Sequence, residues 1–175
     1  LDLCWRLAKQ KGVYEDRTST PEELEILDIA DLRERVIITM IALGGFRIGT
    51  LVKLRYRHVK RGLEKRAIPI HVHVEAEITK GKYHDYDTFL NQEAAQYLRD
   101  YLDIRRQGTR KIPPENIHDD SPLILDTRCK HPVSEESIHR TVHRLYVKAG
   151  LLTKNKEEED KTREQSISSY EHKKI

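Results

Sequence analysis

Apolar residues recur every three or four positions along most of the chain, which is the spacing of amphipathic helices. Several helix starts are marked by polar residues whose side chains can accept hydrogen bonds from free backbone N–H groups. Four helices are predicted over 1–12, 31–44, 91–106 and 134–150. A further helix is predicted to start at Thr20-Pro21, and another carries Ile48, Leu51, Val52 and Leu54. The chain is therefore predicted to be mainly helical.

The spacing changes to strict alternation in one stretch, residues 68–78. Apolar residues take every second position there: Ile68, Ile70, Val72, Val74, Ala76 and Ile78. This alternation predicts a strand with one buried face. Gly81-Lys82 predicts a two-residue turn into a second strand over 83–90, and 123–125 predicts a short further strand. The predicted fold class is α+β, mainly α: a helical bundle with a small antiparallel sheet.

Composition bounds the number of domains. The 175 residues, 35% charged and 37% hydrophobic, can form one domain with a buried core. We expect 1–17 to be the end of a preceding segment and a linker, 18–152 to be the domain, and 153–175 to be a charged, disordered tail. The longest apolar run, 36–46, is too short to span a membrane, and no apolar leader opens the chain, so a cytoplasmic protein is expected.

Charge is unevenly distributed along the chain. The net charge is only +3, with an isoelectric point near 8.8. Acidic residues concentrate in 15–34 and 157–160, and basic residues concentrate in 47–66, 105–111 and 139–148. This separation predicts a basic face on a nearly neutral protein.

The predicted helix 134–150 carries part of this basic character. Five basic or imidazole side chains lie opposite its apolar stripe: His139, Arg140, His143, Arg144 and Lys148. One interpretation is an ordinary solvated face. The other is a stripe that follows the phosphate backbone of a nucleic acid.

Arg47 stands in the first turn of a predicted helix, after Gly44-Gly45. A cation at that position opposes the helix dipole. The placement makes sense if an anion also sits there, bound by free N–H groups and the guanidinium. The alternative is an arginine paired with a nearby carboxylate, and this feature taken alone favours the alternative.

Lys80 lies at the tip of the predicted hairpin. A long cationic side chain at a hairpin tip is usually only solvated. Basic residues crowd around it, however, with Lys82 in the turn and His84 just beyond. The hairpin therefore has two interpretations as well, a solvated tip and a cationic site.

No metal site is predicted. Cys4 and Cys129 are far apart and fit no metal-ligand spacing, which favours a reducing setting. His71 and His73 share one side of a strand, but a two-residue turn would place His84 roughly 20 Å from His73, at about 3.3 Å per residue. Two surface histidines are the favoured interpretation.

Three segments in order resemble the catalytic domain of the tyrosine recombinase, or phage integrase, family. Residues 43–59, LGGFRIGTLVKLRYRHV, resemble its first arginine box. Residues 78–90, ITKGKYHDYDTFL, resemble its lysine hairpin, and 123–152 resemble the strand and helix that follow. The similarity covers roughly 18–152, and its detail is closest to archaeal integrases.

The resemblance implies a fold like that of DNA breaking-rejoining enzymes and a chemistry without metal or cofactor. In this family a tyrosine attacks the scissile phosphate and forms a 3′-phosphotyrosyl link. Two arginines stabilise the developing charge, and a lysine protonates the leaving 5′ oxygen. By resemblance Arg47 is the first arginine and Lys80 is the lysine.

The resemblance also implies partners. Double-stranded DNA is the expected partner, with self-association on DNA as a further expectation, and neither a membrane nor a small-molecule substrate is expected. The residues expected to bind DNA besides Arg47 and Lys80 are Lys82, Arg140, Arg144 and Lys148.

The chain departs from the family pattern in two ways. The acidic residue usual three positions after the arginine is Thr50 here, which is expected to loosen the support of Arg47. The His-x-x-Arg box expected after Leu152 has no match in 153–175. Tyr170-Glu171-His172 resembles the pattern near the nucleophile, but too few residues precede it, so we expect a truncated or frame-shifted end.

Three hypotheses remain open at this point. The first is an integrase fragment that binds DNA but does not turn over alone. The second is an enzyme completed by an unusual short tail, with Tyr170 as nucleophile. The third is a non-catalytic DNA-binding or regulatory protein built on a decayed recombinase domain.

Overall fold

A computed structural model of the chain describes residues 21–79, 81–110 and 112–152. Six α-helices and two strands follow one another in these ranges: α1 (Pro21–Ile29), α2 (Leu32–Ala42), α3 (Ile48–Leu51), α4 (Arg57–Glu64), β1 (Ile70–Val74), β2 (Tyr86–Leu90), α5 (Gln92–Gln107) and α6 (Glu135–Lys148). The predictions for 1–20 and for 153–175 lie outside the described residues. Within the described ranges no helix is both long enough and apolar enough to cross a membrane.

The predicted fold class is confirmed: helices predominate, and the strands form one small antiparallel sheet. Its register pairs Ile70 with Leu90 and Val74 with Tyr86. The sheet packs against α4 and α5, and one core of buried apolar side chains joins its inner face to α2 as well. These side chains include Ile37, Met40, Ile70, Val72, Leu90, Leu98 and Leu102. Burying each large aliphatic side chain contributes roughly 1.5–3 kcal/mol, so this cluster stabilises most of the domain.

The predicted helix starts are confirmed at three caps. The Asp31 carboxylate accepts from the Glu34 N–H at 2.9 Å, while the Glu34 carboxylate accepts from the Asp31 N–H at 3.0 Å. Asn91 accepts from the Ala94 N–H at 3.0 Å to start α5. Ser134 caps α6 in the same way. Each side chain satisfies a donor that the helix itself leaves free.

The predicted strand 68–78 is too long. β1 ends at Val74, and Ala76–Ile78 form one 3₁₀ turn instead. The Asp85 carboxylate accepts from the Ala76 N–H at 2.8 Å, so that donor is not available for a strand partner. Residues 75–85 therefore connect the strands, and the predicted two-residue turn at Gly81-Lys82 is wrong.

The helix predicted through Leu54 is also wrong in length. α3 is a single turn, and the Leu54 carbonyl accepts from the Leu123 N–H at 3.0 Å instead of continuing a helix. The helix α4 that follows was not predicted, because Val59 is its only buried residue and its polar sequence has no apolar period. The strand predicted at 123–125 does not form: the chain bends at 123–124, and isolated bridges flank the bend at Pro122 and Leu125.

Arg105 holds the long connection between α5 and α6. Its buried guanidinium donates to both carboxylate oxygens of Glu115, at 2.9 and 2.7 Å. The remaining contacts go to the carbonyls of Pro122 at 3.0 Å and Leu123 at 2.8 Å. A buried charge is tolerated only when it is paired and hydrogen-bonded in this way. Arg105 thus fixes this loop at Glu115, Pro122 and Leu123.

A second ion pair joins α2 to α6. Glu34, whose side chain is 7% exposed, accepts from the Arg144 guanidinium with one oxygen and caps α2 with the other. Ile26, Leu27, Ile38 and Leu145 form a small apolar cluster that joins α1, α2 and α6. Arg144 therefore has a structural partner, although it was predicted to bind DNA.

We expect Arg144→Ala to lower the free energy of unfolding by about 1–2 kcal/mol, because a buried carboxylate would lose its charged donor. Arg140→Ala is the matched control. Its ion pair with Glu136 is long, at 3.8 Å, and both side chains are exposed, so its effect should stay within about 0.5 kcal/mol. Urea unfolding of both variants measures the difference. Equal effects would show that the Glu34 contact contributes nothing to stability.

Candidate functional site

A pocket of about 420 Å³ lies between the segment that carries Arg47 and the β1–β2 hairpin. Its lining is mostly polar and aromatic: Gly45, Arg47, Thr50, Thr79, Gly81, Lys82, Tyr83, His84 and Tyr86. The structure thus brings together the two segments that resemble the arginine box and the lysine hairpin.

The position of Arg47 follows from the tight turn before it. A side chain at Gly44 would meet the Met40 carbonyl at 2.7 Å and the Phe46 ring at 2.9 Å, so only glycine fits. Gly45 has φ +67°, which favours glycine as well. The buried Phe46 ring then anchors the chain. The backbone N–H of Phe46 donates to the Met40 carbonyl at 3.3 Å. Arg47 follows at once, extended and exposed, as the N-cap of α3.

Arg47 makes no ion pair with a carboxylate of residues 21–79, 81–110 or 112–152. The alternative, in which Arg47 is paired with a nearby carboxylate, is therefore not supported in that part of the chain. The helix dipole, however, contributes little at this site. Because α3 is one turn long, its macrodipole is small, and the guanidinium itself is the main positive charge on this side of the pocket.

The hairpin is bonded directly to the arginine segment. The Thr88 hydroxyl donates to the Gly44 carbonyl at 2.6 Å. Two residues earlier on the same strand face, Tyr86 lines the pocket beside Arg47 and the buried Thr50. Burial raises the pKa of the Tyr86 phenol, and hydrogen bonding with Thr50 and the charge of Arg47 offset only part of this rise. Sequence reasoning missed Tyr86, since only the strand register shows which way it faces.

Lys80 lies outside the described residues, but both of its neighbours are described. Thr79 and Gly81 line the pocket that contains Arg47. Lys82 and His84 line it too, and Lys82 has φ +54°. Lys82 therefore adds a positive charge to the pocket wall, and its DNA contact stays a prediction.

α6 starts next to this site. A side chain at Gly49 in α3 would lie 3.3 Å from a carboxylate oxygen of Glu135 in the first turn of α6. Further along α6, Arg140 and Lys148 are exposed. Arg144 is half-exposed and bound to Glu34, so its predicted DNA contact stays a prediction.

His71 and His73 share one carboxylate on the outer face of the sheet. Asp87 lies 2.8 Å from the Nε2 of His71 and 3.0 Å from the Nδ1 of His73, and Asp85 lies 3.4 Å from the Nε2 of His73. Among the described residues no group of three or more potential ligands could hold a metal ion. Sequence reasoning missed both aspartates, because a two-residue turn at Gly81-Lys82 implied a different pairing of the two strands.

A literal His-x-x-Arg sequence occurs at 58–61, within α4. His58 is buried there, with its Nε2 2.7 Å from Glu75 and its Nδ1 2.7 Å from the Arg55 nitrogen. It does not line the Arg47 pocket. This motif therefore supports the packing of α4 and is not part of the candidate site.

Comparisons with known proteins find similarity in sequence and in fold. No family model matches the chain. The chain is 28% identical over 120 residues to tyrosine recombinase XerC of Lactobacillus leichmannii, covering 69% of this chain and 36% of that protein. XerC of Lactobacillus delbrueckii subsp. bulgaricus matches to the same extent. A crystal structure of XerA recombinase superposes with a TM-score of 0.57 at 22% identity, covering 80% of this chain and 45% of that one.

The chain therefore contains a tyrosine recombinase-type domain, as its sequence predicted. It spans about a third of the length of the curated relatives that it matches. The solved structure shows that the fold is shared.

The hairpin is predicted to be most stable between about pH 4 and pH 6.5. The hydrogen bond with Asp87 and the nearby negative charges raise the pKa of His73 above 6.5, so its contribution is complete below that pH and is lost as pH rises through the folded value. Burial alone would raise the pKa of Asp87, but its bonds with the histidines lower it below 3.8. Its contribution is therefore lost only in stronger acid.

Urea unfolding at pH 5.5 and pH 8 tests this prediction in the wild type and in Asp87→Asn. The wild type should lose more stability between the two pH values than the variant, because the variant lacks the shared carboxylate. The same loss in both proteins would contradict it.

Proposed function

We propose that this chain binds duplex DNA through the phosphate backbone, with a phosphate at Arg47. The observation that carries the proposal is an exposed arginine with no carboxylate partner among the described residues, facing a pocket of hydroxyl and basic groups. A guanidinium suits phosphate because its donors are planar and can bind two oxygens at once. Membership of the tyrosine recombinase type supports DNA as the source of that phosphate.

The basic face of α6 extends the proposed contact. Arg140 and Lys148 are exposed on a helix whose first turn lies beside α3, and we propose that the backbone held at Arg47 continues along this helix. Contacts of this kind position a protein on DNA and do not read its sequence. Arg144 belongs to this face but is also held by Glu34, so we assign it the weaker contribution.

By the same resemblance, Arg47 and Lys80 would serve catalysis of DNA strand cleavage and rejoining. Thr79 and Gly81 lie in the wall of the pocket, which supports placing Lys80 at the same site.

The reaction also needs a second arginine and a nucleophilic tyrosine. No His-x-x-Arg sequence follows Leu152 in this chain. We therefore propose that the chain binds DNA and does not cleave it by itself. A non-catalytic DNA-binding or regulatory role is the second candidate, and it is favoured by Thr50, which stands where the family usually has an acidic residue three positions after the arginine.

Arg47→Ala should weaken duplex binding about tenfold, since a lost charge-assisted hydrogen bond costs roughly 1.5–3 kcal/mol. Its fold should keep nearly full stability because the side chain is exposed. Arg128→Ala is the matched control, since it removes the same charge from an exposed arginine outside the pocket. Fluorescence anisotropy gives the affinities, and a thermal melt checks the fold.

Wild-type affinity should also fall steeply between a low and a higher salt concentration, because binding to phosphates releases counterions. Affinity that is independent of salt would contradict a backbone contact. Equal losses in the Arg47 and Arg128 variants would show that the pocket is not the binding site.

We expect no covalent DNA adduct from this chain. Loss of one preorganised donor typically costs about a hundred- to a thousandfold in rate, and here the histidine of the same box is missing as well. A suicide duplex with a nick traps phosphotyrosyl adducts, which migrate slowly on a denaturing gel. An adduct that disappears in Tyr170→Phe would instead establish Tyr170 as the nucleophile.

A further inference from the structure

We propose that the Tyr86 hydroxyl is a second donor to the phosphate at Arg47 and that the buried Thr50 positions it. This inference rests on the proposed function, since it names a further contact in the same pocket. It assigns a phosphate-binding role to a strand residue and a positioning role to the residue three positions after the arginine.

The strand register aims Tyr86 at the pocket. Tyr86 pairs with the buried Val74, so both side chains project from the inner face of the sheet. At the other inward positions of β2, Leu90 is in the core and Thr88 is bonded to Gly44. Tyr86 is the outermost of the three and lies where that face leaves the core and meets Arg47.

The hydroxyl chemistry fits a phosphate. A phenol offers one donor and can accept from another group. If Thr50 donates to the Tyr86 oxygen, the phenol hydrogen is left to donate into the pocket beside the guanidinium. A tyrosine phenol has an ordinary pKa of about 10, so this hydrogen is present at neutral pH.

Thr50 suits the supporting role because it is buried and cannot itself reach far into the pocket. Its side chain is almost fully covered within α3, three residues after Arg47. A carboxylate at that position would bring a negative charge close to the phosphate, whereas a hydroxyl does not. The pair of hydroxyls thus adds a donor to the site without adding charge.

Tyr86→Phe tests the proposal because it removes one oxygen and keeps the ring that packs on the hairpin. We expect duplex binding about tenfold weaker than wild type, with an unchanged melting temperature. Tyr97→Phe is the matched control. Its ring lies under the Arg35 guanidinium, a contact that phenylalanine keeps, and it does not line the pocket.

The outcomes separate this proposal from the proposed function. If Arg47→Ala weakens binding and Tyr86→Phe does not, Tyr86 is no phosphate donor, while the proposed function stands. If the wild type shows no salt-dependent binding, both proposals fail together. If Tyr97→Phe weakens binding as much as Tyr86→Phe, the effect is general and the assignment of Tyr86 fails.

Two further measurements distinguish a contact from a structural effect. Thr50→Val with Tyr86→Phe should bind no more weakly than Tyr86→Phe alone, because Thr50 would act through Tyr86. With ¹³Cζ-labelled tyrosine, the Tyr86 signal, assigned by its loss in Tyr86→Phe, should shift when a DNA duplex is added and should stay in place in Arg47→Ala. Additive losses in the double variant, or a Tyr86 signal that DNA leaves unmoved in the wild type, would overturn the proposal.

Discussion

The candidate site depends on how closely the chain packs at Gly44. With no room for a side chain between the end of α2 and the Phe46 ring, the chain turns sharply and places Arg47 at the surface. The carbonyl of the same glycine accepts the Thr88 hydroxyl, which ties the hairpin to the turn. One close backbone approach therefore sets both walls of the pocket. Any larger residue at this position would separate the arginine from the hairpin.

Three arginines of the domain show that burial and partners, and not residue type, decide what an arginine side chain does. Arg105 is buried and orders a loop through carbonyls and Glu115. Arg144 is half-exposed and joins two helices through Glu34. Arg47 is exposed and has no carboxylate partner in the described ranges. Because an unpaired guanidinium retains its capacity for an anion, only Arg47 of these three is suited mainly to binding a phosphate.

The tyrosine recombinase-type domain found here combines this site with chemistry that the 175 residues do not complete. Arg47 and the hairpin supply positive charge, and Tyr86 and Thr50 supply neutral hydroxyls. Under the proposed function, this site holds a phosphate diester and does not activate it by itself. The distinction matters physically, since binding needs attraction to the ground state, whereas cleavage needs donors that act more strongly in the transition state.

The sequence by itself determined the elements whose signals are local. The caps at Asp31, Asn91 and Ser134 act within four residues, so they were predicted correctly, and the ordered segments around Arg47 were enough to indicate the family. Only the tertiary structure decided the hairpin register and the place of Tyr86. Alternation continues past Val74, but the side chain of Asp85, nine residues after Ala76, accepts the hydrogen bond from the Ala76 N–H that would have extended the strand. The sequence also could not assign Glu34 to Arg144, because that pair forms only when α2 and α6 pack together.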